Sequence, residues 1–318
     1  MAHPVDPTLH QVGEFSVIER LTSGRSQPAG VAVGPGDDAA VLEAPDGRVA
    51  VTTDMLVEGR HFRLDWSTPG DVGRKAVAQN AADIEAMGAA VTGFVVGFGA
   101  PADTSAARVA ELSDGLWAEA DAVGAGIVGG DLVSSPQWVV SVTALGDLGG
   151  RDPVLRSGAR AGSLIAVAGD LGRSAAGFLL WRNGIAEFDD LRDRHLVPRP
   201  PYGQGRTAAE AGAQAMVDIS DGLLADLGHI AAASGVVMDL RRAALLEDVE
   251  AVTPAARATG ADPWSLVLGG GEDHALVACF PDYPPHGWRV IGAARTGAPE
   301  VLLDGAPWPG PAGWQSFD

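Results

Sequence analysis

Lysine and cysteine are almost absent from this 318-residue chain. The single cysteine, Cys279, sits in an apolar run. That excludes a disulfide framework and a cysteine-ligated metal cluster. Lys75 is the only lysine, and arginine supplies the rest of the basic side chains. With 22 Lys and Arg against 41 Asp and Glu, the net charge is −19. A chain so short of positive charge is a poor partner for nucleic acid, which needs basic patches. The same shortage argues against an anionic membrane surface. Long apolar runs are missing too: none approaches the ~18 residues of a membrane helix. The N-terminal MAHPVDPTLHQ has no basic segment followed by an apolar one. A soluble, cytoplasmic protein is therefore expected. The phosphate-loop sequence G-x-x-x-x-G-K-[ST], the protein-kinase motif set and the EF-hand pattern are all lacking.

Hydrophobic residues make up 46% of the chain and charged residues 20%, a globular balance. The length suits one large or two medium domains. A Gly/Asp-rich break, GDLGGRDP at Gly146–Pro153, marks a boundary and divides the chain into domains 1–148 and 149–318.

The stretch Val31–Phe62 carries the densest chemical pattern. An apolar run ends in Gly34-Pro35-Gly36 and Asp37-Asp38 follow. Ala39–Leu42 and Val49–Val51 read as short strands, the second ending in Thr52-Thr53-Asp54. Carboxylates at strand ends suit a hard cation such as Mg²⁺, which takes oxygen ligands. Asp-rich turns account for the pattern equally well. His61 follows in a loop.

Further along, Asp71–Met87 reads as an alanine-rich helix with Gly88 as its C-cap. Asn80 and Asp83 share a face of it, and Lys75 lies a little over two turns before Asp83. Thr92–Phe98 reads as a strand and Thr104–Val123 as a helix. Ala125–Val128 reads as a strand ending in Gly129-Gly130-Asp131. Strand Ser163–Ala168 and helix Ser174–Trp181 precede a proline-rich connector, His195–Tyr202. A strand then ends in Asp218-Ile219-Ser220-Asp221-Gly222, where a helix starts. Asp221 would serve there as an ordinary N-cap, but a cap leaves Asp218 and Ser220 unexplained. Gly269-Gly270-Gly271-Glu272-Asp273-His274 leads into one more strand.

Asp37, Asp38, Asp54, Asp83, Asp131, Asp218 and Asp221 all fall at predicted element ends in Gly-rich contexts. So many carboxylates in one site would repel each other unless several Mg²⁺ ions joined them. Several Mg²⁺ with Gly-rich backbone points to nucleoside triphosphate chemistry.

The motifs GEFSVI, GDDAA, TTDMLVEGRHF, NAADIEAMGA, GGD, RSGARAG, DISDGL and GGGED occur in that order. With them the chain, from Gly13 to its C-terminus, resembles the thiamine-monophosphate kinase family. That family shares a superfamily with aminoimidazole ribonucleotide synthetase, selenide water dikinase and the hydrogenase maturation factor HypE. The resemblance implies a two-domain α/β fold of the PurM-like type. The N-terminal domain would form a homodimer whose strands build a barrel at the interface. The active site would lie between the domains and use the partner subunit. The implied reaction converts ATP and thiamine monophosphate to ADP and thiamine diphosphate. Carried over motif by motif, the Mg²⁺ ligands would be Asp38, Thr52, Thr53, Asp54, Asp83, Asp131, Asp218 and Asp221. ATP would touch Gly130, Asp131, Arg156 and Ser220. Thiamine monophosphate would touch His61, Glu272 and Trp314. No side chain is implied as an acid or base; Lys75 is the one candidate for a direct catalytic part.

The chain departs from the family pattern at three places. His274 stands where an aromatic residue usually follows GGED, Leu132 where Thr usually follows GGD, and Trp314 where Tyr is common. An indole keeps a π face for a thiazolium cation. The acceptor is a phosphate monoester, already largely dianionic at neutral pH, so the chemistry needs charge neutralisation and not a general base. Another ATP-dependent enzyme of the superfamily is the nearest alternative. A selenide dikinase should carry a reactive Cys near its N-terminus and a HypE-like protein one at its C-terminus, and Cys279 is at neither place. A non-catalytic Ca²⁺ binder lacks its loop motif.

Overall fold

The structure is a computed structural model that describes residues 6–35 and 39–314, leaving aside the side chains of residues 14 and 15. Asp38, expected as a metal ligand, and its neighbour Asp37 lie outside the described residues. The chain divides into two compact units, Met1–Ala81 with Val91–Asp147, and Ala82–Ala90 with Leu148–Asp318.

In the first unit, α1 (Leu9–Val12) and α2 (Glu14–Thr22) precede an antiparallel pair, β1 (Val31–Val33) and β2 (Val41–Leu42). Then come β3 (Ala50–Val57), α3 (Pro69–Ala86), β4 (Ala90–Ala100), α4 (Ala106–Val123), β5 (Ile127–Ser134) and β6 (Val139–Asp147). Four of the strands form a sheet in the order β3-β6-β4-β5. β3 runs antiparallel to β6 from Ala50–Gly146 to Val57–Val139, and β4 runs parallel to β5.

These pairings change two expectations. Thr52-Thr53-Asp54 and Gly129-Gly130-Asp131 are not strand ends: each lies inside a strand whose partner continues past it. Turn-like residues did not stop either strand, because a facing ladder satisfies their backbone groups.

The helix α4 shows why its sequence folds as it does. Ser105 accepts from the Arg108 N–H at its start, and Gly124, left-handed, closes it. Val109, Leu112, Leu116 and Ala120, three and four apart, are buried on one face. It crosses α3 with backbone almost on backbone. A Cβ on Gly73 would stand 2.2 Å from the Leu112 carbonyl oxygen, and one on Gly115 2.0 Å from the Gly70 oxygen. Only glycine permits that approach.

The second unit holds β7 (Leu164–Ala168), α5 (Arg173–Arg182), α6 (Asp189–Leu196), α7 (Gln204–Glu210), β8 (Ala215–Asp218), α8 (Leu223–Ser234) and β9 (Val237–Leu240). After a 3-10 turn at Arg242–Ala244 follow α9 (Leu246–Thr259), α10 (Pro263–Gly269), β10 (Leu276–Phe280), β11 (Arg289–Arg295), β12 (Glu300–Leu303) and β13 (Ala306–Pro307). The seven strands run β13-β12-β9-β11-β7-β10-β8, with β12 parallel to β9. Among the described residues neither larger sheet closes into a barrel.

The central strands of this sheet are buried on both faces, which is why they read as unbroken apolar runs. Ile165, Val167, Val217, Val277 and Cys279 enter one core, with α8 and α9 over them. The alternate residues Ala166, Ala168, Met216, Leu276, Ala278 and Phe280 enter a second core with Ala86, Ala208 and Trp288. Fully burying one such Ile, Leu or Phe contributes about 1.5–3 kcal/mol. The connector expected from His195 starts inside a helix: His195 is in the last turn of α6. That helix is mostly charged and buries only Leu191, His195 and Leu196, too few for periodicity to show. Among the described residues, no helix is long and apolar enough to cross a membrane.

Candidate active site

The second unit gathers several of the expected site residues around two facing loops. One follows β8 and runs Asp218 to Gly222. The other precedes β10 and runs Gly269 to His274. Backbone ties lock them together: Glu272 N–H donates to Ser220 O (2.7 Å), His274 N–H to Ile219 O (2.9 Å) and Ile219 N–H to Ala275 O (2.8 Å). A Cβ on Gly271 would stand 2.4 Å from Ser220 O, so this glycine of the GGGED run is required by the contact. Trp314 joins the group, its N–H donating to Asp221 O (2.9 Å) while the residue is 60% exposed.

The charges here are crowded. Burial raises the Asp221 carboxyl above the usual range, and the Asp218 charge raises it further; His229 and His274 oppose this. The buried Asp218 accepts from His274 Nδ1 at 3.1 Å. Burial alone would lower the His274 pKa, but the bond and charge of Asp218, with Glu272 and Asp83, raise it overall. Asp83 therefore belongs to the electrostatic surroundings of this group. Asp221 is not the helix cap that its position suggested. α8 begins after Gly222, and the Asp226 carboxylate accepts from the Asp221 and Gly222 N–H groups, both at 3.0 Å. Burial and the Asp218 charge push Asp226 up to about 7. Sequence reading missed Asp226, although Asp in a first helical turn is the signal that could have found it.

Two further residues of this group, Asp273 and His195, had no role assigned from sequence. Glu272 and His274 have φ of 63° and 52°, left-handed values that non-glycine residues seldom take. Asp273, between them, is buried, and its carboxylate accepts from the Gly172 N–H (2.5 Å) and the Ser174 N–H (2.8 Å) at the start of α5. Burial pushes its carboxyl up to about 7 although those two donors pull the other way. His195 Nδ1 stands 3.5 Å from Glu272 Oε2 and 3.3 Å from Ser174 Oγ. Arg156 is exposed, and its carbonyl accepts from Ser234 Oγ (3.1 Å).

The first unit holds the remaining expected residues, distributed over both faces of its sheet. Register puts Thr52, Asp54 and Leu56 on one face with Val142 and Ala144. Thr53 and Met55 fall on the other with Thr143 and Ser141. Asp131 pairs with Gly97, whose missing Cβ would sit 3.8 Å from Ser141, so Asp131 shares the Thr53 face. Asp54 is on one outer strand and Asp131 on the other, roughly 14 Å apart across two intervening strands. The Asp54 N–H is held by Asn80 Oδ1 (2.9 Å), a positioning contact from α3. Gly130 is fixed by strand packing, since a Cβ would stand 2.2 Å from Val96 O, whereas Gly129 faces open space. Gly129, Gly130 and Asp131 border a cavity of about 860 Å³, which Leu112 and Trp117 line from α4. Among the described residues, no three His, Cys, Asp or Glu side chains converge closely enough to hold a metal ion by themselves. His61 and Lys75 meet in the loop after β3, where Lys75 Nζ donates to His61 O at 3.2 Å.

Comparison with known proteins bears on this arrangement. Residues 36–148 match the family model for the N-terminal domain of AIR synthase related proteins, and residues 160–283 that for the C-terminal domain. A curated thiamine-monophosphate kinase of Mycobacterium tuberculosis is 68% identical over 311 residues, covering 98% of this chain and 93% of that relative. The chain belongs to the thiamine-monophosphate kinase family. A Corynebacterium glutamicum member of the family is 41% identical, covering 98% of this chain and 95% of that relative. A crystal structure of the Stenotrophomonas maltophilia kinase superposes with a TM-score of 0.78 at 31% identity, covering 91% of this chain and 95% of the other. The structure of AaThiL complexed with AMPPCP and TMP superposes with a TM-score of 0.76 at 28% identity, covering 98% and 100%. Escherichia coli HypE, at 20% identity, shares the two-domain fold with a TM-score of 0.72. The kinase family and the PurM-like two-domain architecture are thus established for this chain.

Proposed function

We propose that this protein transfers the γ-phosphoryl group of ATP directly to thiamine monophosphate, forming thiamine diphosphate. The observation that carries this reading is the match of a curated thiamine-monophosphate kinase to 98% of the chain at 68% identity. The complex of AaThiL with AMPPCP and TMP supports the same pair of substrates. The HypE alternative has the fold at 20% identity and loses on that difference.

Oxygen donors of this kind suit Mg²⁺. In the second unit Asp83, Asp218 and Asp221 are hard oxygen donors, and Asp221 is raised by burial and by its neighbour's charge. A bound divalent cation would relieve that repulsion. Asp54, Asp131, Thr52 and Thr53 of the first unit, with Asp38, complete the proposed ligands. Mg²⁺, when bound, would neutralise phosphate charge during transfer. The chain's own residues then have binding tasks. Gly130, Asp131, Arg156 and Ser220 would meet ATP, and His61, Glu272 and Trp314 would meet thiamine monophosphate. An exposed indole, tied through its backbone to Asp221, suits a thiazolium cation.

A second copy of the chain would cover the first unit's sheet. Val51 and Met55 on β3, Val95 on β4 and Val133 on β5 are exposed apolar residues on one face. Burying them explains an apolar strand face, and two such sheets would close a barrel at a homodimer interface. The domain boundary at residues 148/149 and a cytoplasmic site of action belong to the same proposal. The free, buried Cys279 supports a reducing compartment.

The test is turnover: purified protein, ATP, Mg²⁺ and thiamine monophosphate, with thiamine diphosphate read by chromatography. Product requiring all three is expected. No product from a folded, ATP-binding protein would move the acceptor to another member's chemistry.

A further inference from the structure

We propose that Lys75 is the positioning residue of the loop after β3, and that this loop holds His61 as a neutral ring with its hydrogen on Nε2. The loop is held by its own hydrogen bonds. His61 and Arg60 N–H groups donate to Val57 O (3.0 and 3.1 Å), and Gly59 N–H donates to Phe62 O (2.8 Å). Glu58 N–H donates to Trp138 O (2.9 Å), and Trp138 N–H returns the bond to Glu58 Oε2 (3.1 Å). Within this frame the Val57 N–H donates to His61 Nδ1 at 3.0 Å.

That last bond fixes the ring's chemistry. A backbone N–H can only donate, so Nδ1 must accept and carry no hydrogen. The remaining hydrogen of the neutral imidazole is then on Nε2. The other tautomer, or a doubly protonated ring, would set N–H against N–H.

Lys75 holds the same residue from its backbone side. It is 2% exposed, and its Nζ donates to the His61 carbonyl at 3.2 Å. His61 is thereby gripped at its ring and at its carbonyl, while the ring stays half-buried. Burying an ammonium is costly unless its donors are used. A compact ammonium on a four-carbon stem differs from the planar fork of arginine and meets this one carbonyl as a point donor. This gives a reason for the single lysine in a chain that otherwise uses arginine.

The inference rests on the reading of His61 as a contact for thiamine monophosphate. There it makes His61 a hydrogen-bond donor to an acceptor oxygen and excludes a role as base at Nδ1.

Nitrogen-15 NMR of histidine-labelled protein, without ligand and at neutral pH, tests the proposal directly, with His61→Asn identifying the signals. A protonated Nε2 and a bare Nδ1 are expected. A protonated Nδ1, or an imidazolium, overturns the proposal. His61→Asn keeps an acceptor for Val57 but loses the Nε2 donor. Val57 amide protection should persist while KM for thiamine monophosphate rises about ten- to hundredfold and KM for ATP holds. If the NMR result stands but that KM does not move, the substrate contact fails and the tautomer survives. Lys75→Met should add the second tautomer to the His61 signals. A variant that only loses stability, with those signals unchanged, overturns the part given to Lys75.

Discussion

Asp273→Ala should destabilise the second unit by about 3 kcal/mol and disturb the loop that carries Glu272. The Asp273 carboxylate accepts from two backbone N–H groups at the start of α5, at 2.5 and 2.8 Å. A hydrogen bond to a charged acceptor contributes about 1.5–3 kcal/mol, and alanine removes two and leaves both donors buried. Relief works in the opposite direction. The buried carboxylate is itself costly, as its rise to about 7 reports, so the sum of two full bonds is reduced to the figure given. Glu272 and His274, left-handed on either side, cost of order 1 kcal/mol or more each and persist because their neighbours hold them. Without the Asp273 anchor both can relax, and kcat/KM for thiamine monophosphate should fall. Asp273→Asn keeps one acceptor oxygen but turns an NH₂ group toward the other donor, so it should recover only part of the loss. Urea unfolding followed by a probe in the second unit measures this. A loss below about 1 kcal/mol for Asp273→Ala would refute the anchoring role.

Asp54→Ala should lower turnover at least about a hundredfold while leaving the fold intact, because the proposed role is electrostatic; near-normal activity would remove Asp54 from the metal ligands. Gly115→Ala sets two effects against each other. Alanine favours a helix by roughly 1 kcal/mol, but its Cβ would stand 2.0 Å from Gly70 O. Forcing α3 and α4 apart costs typically 1–3 kcal/mol, so net loss is expected in urea unfolding, and a gain would contradict the close crossing. Asp248 is pushed up to about 6 by burial, which outweighs the nearby Arg289 at 2.7 Å. Its folded value lies above the unfolded one near 4, so its stability contribution is full at low pH and is lost as pH rises through about 6. In Asp248→Asn, unfolding free energy measured between pH 4 and 7 should lack that downward component.

Much of the site could be read from order alone. The motifs around Asp54, Asp131, Asp218 and Glu272 mark the family because each joins a chemically demanding residue to glycine-rich backbone. The contacts that hold them were not legible. Asn80 reaches the Asp54 N–H across 26 positions, and Asp273 reaches α5 across about 100. Such pairings have no local signal, since any buried Asn or Asp reads like a solvated one. α6 was missed for a related reason: its helix is decided by packing of Leu191 and His195, not by periodicity.

By itself the sequence determined the class of protein, the acidic character of the site and the alternation of apolar residues that makes strands. These follow from composition and from short-range periods of two and three to four residues. Tertiary structure decided where those residues point. Thr52 and Thr53 are adjacent, yet the pleat sends them to opposite faces, and only the register with β6 shows which face is which. It also turned Asp54 and Asp131 from strand ends into mid-strand residues, and gave the capping role to Asp226 and not to Asp221. Ladder partners and buried donors come from distant parts of the chain. Their effect on a side chain is therefore fixed only once the chain has folded.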